Sequence, residues 1–222
     1  MPYITQTFDV VTFDQAKNVV LSTDPNDPEK FDRETDFLID AIFSQNIIHS
    51  GSTVLDYGCG MGRVSRELVR RFDCRVIGVD ISDSMLTFAK LYVANMRRFE
   101  TCKLYDRPDT IDVCVSSFVL QHVEDPIEEI QRIHRSLKIG GYLVLLNEPK
   151  RWVPVDIDRQ NLVVWNDDGV DIIDEVSKRF KKVASVQYMK GPLEIGFYER
   201  ELTEGDKQAQ AWLKNEYYDL ED

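Results

Sequence analysis

From Ser52 onward, short apolar runs alternate with segments in which apolar residues recur every three or four positions. Val54-Leu55, running into Asp56-Tyr57-Gly58, reads as a short buried strand ended by glycine. Val64, Leu68, Val69 and Phe72 then fall on one face of a helix. Residues 75–80 predict a second strand, and residues 84–97 a second helix carrying Met85, Phe88, Ala89, Tyr92 and Met96. A third strand falls somewhere in residues 100–105, and a fourth over residues 111–116. Asp125-Pro126 opens a helix, since aspartate caps free amides and proline suits the first turn. Ile127, Ile130, Ile133 and Leu137 give that helix its stripe, and Gly140-Gly141 is expected to stop it before a fifth strand at residues 142–146. A helix over residues 168–180 and two β-prone segments, 183–189 and 193–198, complete the pattern.

Strands alternating with helices pair in parallel through right-handed crossovers, which covers both faces of the sheet. Gly191-Pro192 separates the last two strands, so these form an antiparallel hairpin at the sheet edge. The fold class is therefore α/β: Rossmann-like and doubly wound, with a mostly parallel seven-stranded sheet, a C-terminal antiparallel hairpin and an N-terminal capping helix. That helix is expected to start at Asp27-Pro28 and to pack Phe31, Leu38, Ile42 and Phe43 across the top of the domain. The chain reads as one domain over residues 1–222. Residues 1–50 form the cap, 51–200 the α/β core, and 201–222 an acidic tail with Trp212, Leu213, Tyr217 and Leu220 as its anchors.

The chemistry concentrates between the first strand and the helix after it. Gly58-Cys59-Gly60-Met61-Gly62 lets the backbone turn sharply and approach a ligand closely. Asp80 closes the next strand, and adjacent parallel strands end on the same edge of the sheet. Asp80 is thus placed to accept hydrogen bonds from both hydroxyls of a ribose. A dinucleotide fingerprint would place a small residue where this chain has Arg63, and here the third glycine comes one position early. That departure tells against a nicotinamide cofactor.

With those residues in view, Val54-Leu55-Asp56-Tyr57-Gly58-Cys59-Gly60-Met61-Gly62 resembles the first motif of class I S-adenosylmethionine-dependent methyltransferases. Ile77-Gly78-Val79-Asp80-Ile81-Ser82 resembles the motif bearing their ribose-binding acid. The stretch from Asp112 to Val123 is similar to their fourth-strand segment, and Leu137-Lys138-Ile139-Gly140-Gly141-Tyr142-Leu143 to the lead-in of their fifth. The resemblance covers Ser52 to Leu146, and is strongest to the methyltransferase type 11, or ubiquinone/menaquinone-methyltransferase-like, group. It implies S-adenosyl-L-methionine as cofactor, with S-adenosyl-L-homocysteine as product. The backbone of Gly58, Cys59, Gly60 and Gly62 would hold the methionine end. Asp56 would order the loop or receive the cofactor amine, and Asp80 would bind the ribose. Ile81 and Met85 would flank the adenine, and Ser117 would line the channel under the sulfonium. Family members carry an acid after the third strand that recognises the adenine amine. The corresponding loop, residues 104–110, is abbreviated here and leaves Asp106 as the candidate, with a plain turn before Pro108 as the alternative.

Methyl transfer needs positioning and exclusion of water more than covalent catalysis. A base is required only where the acceptor holds a proton, and His122 and Glu148, after the fourth and fifth strands, are the candidates. Trp152 and Trp165 lie in the short segment after the fifth strand, where acceptor contacts or lid packing are expected.

Charge narrows the acceptor. With 39 acidic and 27 basic residues the net charge is −12. Nucleic acid is disfavoured, because phosphate binding needs a cationic surface. The one basic cluster, Lys178-Arg179-Phe180-Lys181-Lys182, reads as a helix C-terminus. A small-molecule acceptor is the expected partner. Cys59, Cys74, Cys102 and Cys114 are scattered and read as reduced, core-filling thiols, with no metal site. The first residues show neither the basic region nor the apolar block of a secretory signal, and no run is long enough to span a membrane, so a cytoplasmic protein is expected. Two other readings stay open: a non-catalytic module that keeps the cofactor fold for interaction, and an NAD-dependent oxidoreductase.

Overall fold

The computed structural model describes residues 3–21, 24–94, 97–148, 150–155, 162–164, 168–203 and 205–207. The strands are β1 (Thr53–Tyr57), β2 (Arg75–Val79), β3 (Phe99–Cys102), β4 (Ile111–Ser117), β5 (Leu137–Leu146), β6 (Trp152–Pro154), β7 (Leu162–Val164), β8 (Lys181–Gln187) and β9 (Glu194–Glu199). The helices are α1 (Phe13–Val20), α2 (Lys30–Ser44), α3 (Arg63–Phe72), α4 (Asp83–Tyr92), α5 (Pro126–Ser136) and α6 (Ile172–Ser177). Seven strands form one sheet in the order β3-β2-β1-β4-β5-β9-β8. The first five run parallel, and β9 pairs antiparallel with both β5 and β8, as the closing hairpin requires.

The two-residue period of each strand divides its side chains between two cores. Val54, Val113, Val115 and Val144 face one layer, where Leu38, Ile39 and Ile42 of α2 meet Val64, Leu68 and Phe72 of α3. Leu55, Cys114, Leu143 and Leu145 face the other, against Ile130 and Ile133 of α5 and Ile172 and Val176 of α6. Such strands are apolar on both faces, the signature of a sheet covered on both sides. No described helix is long and apolar enough to cross a membrane.

Several boundaries differ from the sequence reading. Helix α5 ends at Ser136, and Leu137 is already extended, at φ −70° and ψ 142°. Gly140-Gly141 therefore does not stop the helix. Gly140, at φ +79°, sits in a bulge of β5, where Leu137 faces Ile111 and Tyr142 faces Val113. Helix α2 starts at Lys30, with Asp27 in the preceding turn, and lies in the face layer beside α3 rather than across the top. Its Phe43 is 65% exposed and touches only the rim of the core through Phe72, 5.9 Å between ring centroids. Helix α4 stops at Tyr92, and Met96 lies outside the described residues. Helix α6 has six residues, because Asp171 caps it by accepting from the amides of Ile173 and Asp174. Of the basic cluster, Lys178 and Arg179 pair with Glu175 of α6, whereas Lys181 and Lys182 of β8 pair with Glu201 and Glu194.

The cover over the strand ends comes from residues 3–21, part of the segment assigned to the cap but given no elements of its own from the sequence. Residues 3–21 cross that edge and include α1, whose capping box joins Thr12 and Gln15. Its Ala16 and Leu21 pack with Phe31, Met61 and Met85. The paired strands β6 and β7 were not anticipated either. Trp165 and the tail anchors Trp212, Leu213, Tyr217 and Leu220 lie outside the described residues.

Candidate active site

The loop after β1 is shaped by three glycines in the left-handed region, Gly58 at φ +73°, Gly60 at +52° and Gly62 at +84°. A side chain would be strained at each, and the surroundings also forbid one. A Cβ on Gly58 would stand 2.3 Å from a methyl of Val119, and on Gly60 2.5 Å from a methyl of Val20. At Gly62 it would meet Val93 and the backbone of Ala89 on α4, so this glycine serves helix packing. The amides of Gly58 and Cys59 both donate to the carbonyl of Val79, which ties the loop to the end of β2.

Asp80 stands at that end. Its Oδ2 accepts from the amide of Gly60 at 2.8 Å and its Oδ1 from the amide of Ser82 at 3.0 Å. A carboxylate offers about four acceptor positions, so acceptor capacity remains beyond these bonds. Burial raises the Asp80 pKa, while the amides of Ser82 and Gly60 oppose the rise. Ser82 caps α4 and also donates to Asp9 at 2.6 Å, while the amide of Val10 donates to Ser84 at 2.8 Å. The covering segment is thereby fastened to the turn that holds Asp80.

These groups border a cleft of ≈ 990 Å³ at the C-terminal ends of β1, β2 and β4. That is near the top of the roughly 300–1,000 Å³ range of small-molecule sites, with room for two ligands. Of the residues singled out from sequence, Gly58, Gly60, Asp80, Ile81, Met85, Ser117, His122 and Glu148 line it. Asp56, Cys59, Gly62 and Asp106 do not. Asp56 is 2% exposed and accepts from Ser65 of α3 at 2.6 Å, which anchors the loop but turns the carboxylate away from the cleft. Burial pushes its pKa up to about 6. Cys59 points into a small cluster with Leu86, Ala89 and Phe99, and burial raises its thiol pKa. Asp106 is at the surface, 3.5 Å from Arg135, because the short connection from β3 leaves it beyond the cleft; Lys103 and Leu104 line that end instead.

Arg63 shows what the departure from the dinucleotide pattern does. It is the first residue of α3, 4% exposed, and its Nη1 donates to Thr35 of α2 at 3.0 Å and its Nη2 to Ser117 at 3.4 Å. The guanidinium thus fills the space between helix and strand end that a dinucleotide site keeps for a small side chain. Phe118, next to Ser117, holds φ +59°, an unfavourable angle for an aromatic residue and one that clusters at functional sites.

Sequence reasoning assigned a cap to residues 1–50 but named none of its cleft-lining residues. Tyr3, Thr5, Phe8 and residues 18–21 line the cleft, as do Tyr57 and Gln121. The capping box at Thr12 was the available signal for α1. Tyr57 donates to Glu129 of α5, and burial with that carboxylate raises its pKa. His122 lies between Phe8, 6.1 Å away, and Trp152, 3.8 Å away, measured between ring centroids. Gln121 accepts from the amide of Glu148 at 3.2 Å, and its carbonyl accepts from the amide of Trp152 at 3.0 Å, so this wall is one bonded unit. Seven carboxylates line the cleft (Glu34, Asp80, Glu124, Asp125, Glu128, Glu129, Glu148), against four cations (Lys30, Lys103, Arg132, Lys150). Among the described residues no cluster is suited to a metal ion, and the four cysteines are free thiols.

The profile of the methyltransferase domain matches residues 55–145, the stretch from the glycine loop through β5. Over that stretch the chain is similar to the methyltransferase domain. The chain is 37% identical over 102 residues to N-demethylindolmycin N-methyltransferase of Streptomyces griseus, covering 42% of this chain and 43% of that protein. It is 34% identical over 114 residues to the ubiquinone biosynthesis O-methyltransferase of Nitrosomonas europaea, covering 47% and 48%. The chain therefore spans less than half the length of these two curated relatives. Among solved structures, an S-adenosylmethionine-dependent methyltransferase from Mesorhizobium loti superposes with a TM-score of 0.55 at 18% identity, over 74% of this chain and 100% of that one. At that identity the likeness is one of fold.

Proposed function

We propose that the protein transfers a methyl group from S-adenosylmethionine to a small-molecule acceptor in this cleft. The observation that carries the reading is Asp80, which grips the Gly60 amide and keeps acceptor capacity beyond it for a pair of ribose hydroxyls. The cradle fits the cofactor: Gly58 and Gly60 leave bare backbone on the cleft, and Ile81, 47% exposed, offers an apolar flank for a base. Arg63 opposes a nicotinamide cofactor by its bulk, and the two curated relatives above bear the names of methyltransferases.

When bound, the cofactor supplies an electrophilic methyl carbon: the acceptor lone pair forms the new bond as the carbon–sulfur bond breaks, its pair leaving on a neutral thioether. The residues of the chain do the rest. Residues 3–21 exclude water from above, held by the Asp9–Ser82 bond. Ser117, oriented by Arg63, supports the floor near the strand ends. His122 is placed to take a proton from the acceptor, since an imidazole exchanges one near neutral pH. Glu148, exposed at the rim, serves as a fixed negative charge beside it. Four free thiols suit a reducing, cytoplasmic compartment.

The test is a titration with S-adenosylhomocysteine, followed by mass spectrometry of acceptor mixtures incubated with S-adenosylmethionine. Binding together with a product heavier by one methyl group supports the reading, and absence of binding by a folded protein refutes it.

A further inference from the structure

Phe8, His122 and Trp152 form an aromatic wall of the cleft, and Glu124 and Glu148 line the same cleft. Aromatic faces attract cations, and more strongly where water is thinned out. The seven carboxylates of the lining outnumber its four basic groups, Lys30, Lys103, Arg132 and Lys150. Lys103 is paired with Asp83, and Arg132 with Glu128 and Glu129.

The phenol of Tyr3 lines the same space. Its pKa is pushed up to about 12, first by burial and then by the charges of Glu124, Asp80 and Glu129. Among the described residues no arginine on this wall offers the fork that recognises a carboxylate or phosphate: Arg151 is buried and engaged by Asp168 and by the carbonyls of Val123 and Glu124.

We propose that the methyl acceptor is an amine, docked as its ammonium ion against the Phe8–His122–Trp152 wall in the cleft that Glu124 and Glu148 also line. The proposal rests on the methyl-transfer reading and specifies its acceptor class. In the docked state the ammonium has no lone pair to react. One N–H proton passes to His122, the freed pair becomes the nucleophile, and these carboxylates offset the positive charge held first by the amine and then by the imidazolium. The imidazolium later returns its proton to solvent. The same two carboxylates also reduce the repulsion between a cationic acceptor and a sulfonium bound alongside it.

Three probes of similar size separate the head-group chemistries: 2-phenylethylamine, 2-phenylethanol and phenylacetate. Each is titrated by calorimetry into the full chain saturated with S-adenosylhomocysteine. The amine is expected to bind about tenfold or more tightly than either of the others, from combined cation–π and carboxylate attraction. In the double variant Glu124→Gln, Glu148→Gln that preference is expected to shrink to roughly threefold or less, with affinity for S-adenosylhomocysteine retained. Amine binding no tighter than that of the alcohol or the acid, including no binding at all, overturns the proposal. So does a preference that survives in the double variant. Because saturation with S-adenosylhomocysteine is measured first, failure at that step counts against the methyl-transfer reading itself, and failure only at the second counts against the amine.

Discussion

Replacing Asp80 by alanine should weaken S-adenosylhomocysteine binding far more than it weakens the fold. The carboxylate makes two charge-assisted bonds in the structure, one per oxygen, to the amides of Gly60 and Ser82. Its remaining acceptor positions are the ones assigned to ribose hydroxyls. A hydrogen bond to a charged group contributes about 1.5–3 kcal/mol. Losing the ribose contact therefore predicts a rise in Kd of roughly 10- to 150-fold. The cost to the fold should be smaller, about 1–2 kcal/mol, because water reaches this half-buried site and can satisfy part of what the two amides lose. Asp80→Asn keeps the shape but gives one position a donor where an amide already donates, so it should fall between wild type and alanine. Calorimetry gives the affinity, and circular dichroism with urea unfolding shows whether the variant is folded. A folded Asp80→Ala protein that binds within about twofold of wild type would refute the ribose assignment.

Gly60→Val should abolish binding and loosen the cover together, since a branched side chain at φ +52° is strained and its Cβ would strike Val20; a binding titration beside limited proteolysis of residues 3–21 reads both effects. Asp56 titrates at about 6 when folded against 3.8 unfolded, so the native state holds the proton more tightly and this group lowers stability as pH rises from 3.8 to about 6. The loss amounts to about 3 kcal/mol, and Asp56→Asn should remove it; urea midpoints of both proteins from pH 4 to 7 test this, and a constant difference between them would count against it. His122→Ala should lower kcat by ~100-fold or more with cofactor affinity kept, whereas Glu148→Gln should cost ~10-fold or less. Losses under ~10-fold in both would leave positioning alone as the source of rate.

The sheet was legible because its strands are apolar on both faces and alternate with striped helices, a pattern with few alternative folds. Gly58, Gly60, Asp80 and Ser117 could be brought together for the same reason, since parallel strands deliver their ends to one edge. The residues that failed to reach the cleft share motifs with those that did. Asp56 and Cys59 flank Gly58 in sequence, yet one serves Ser65 and the other packs under α4. A resemblance identifies the loop but does not say which side each residue faces. Asp106 failed because the eight residues between β3 and β4, 103–110, contain no helix to carry an acid back over the cleft. The details of the cap over residues 3–21 were missed because its contacts are long-range: Asp9 meets Ser82 across 73 positions, and no local periodicity signals that. Gly140-Gly141 misled for a different reason, because glycine at positive φ serves a bulge as well as a helix end.

The central claim is that the glycine loop and Asp80 form an S-adenosylmethionine site. Parallel calorimetric titrations of the wild-type chain with S-adenosylhomocysteine and with NAD test it most directly. The account predicts saturable one-to-one binding of S-adenosylhomocysteine and no detectable heat with NAD. Binding of NAD, or a folded protein that ignores S-adenosylhomocysteine, would contradict it.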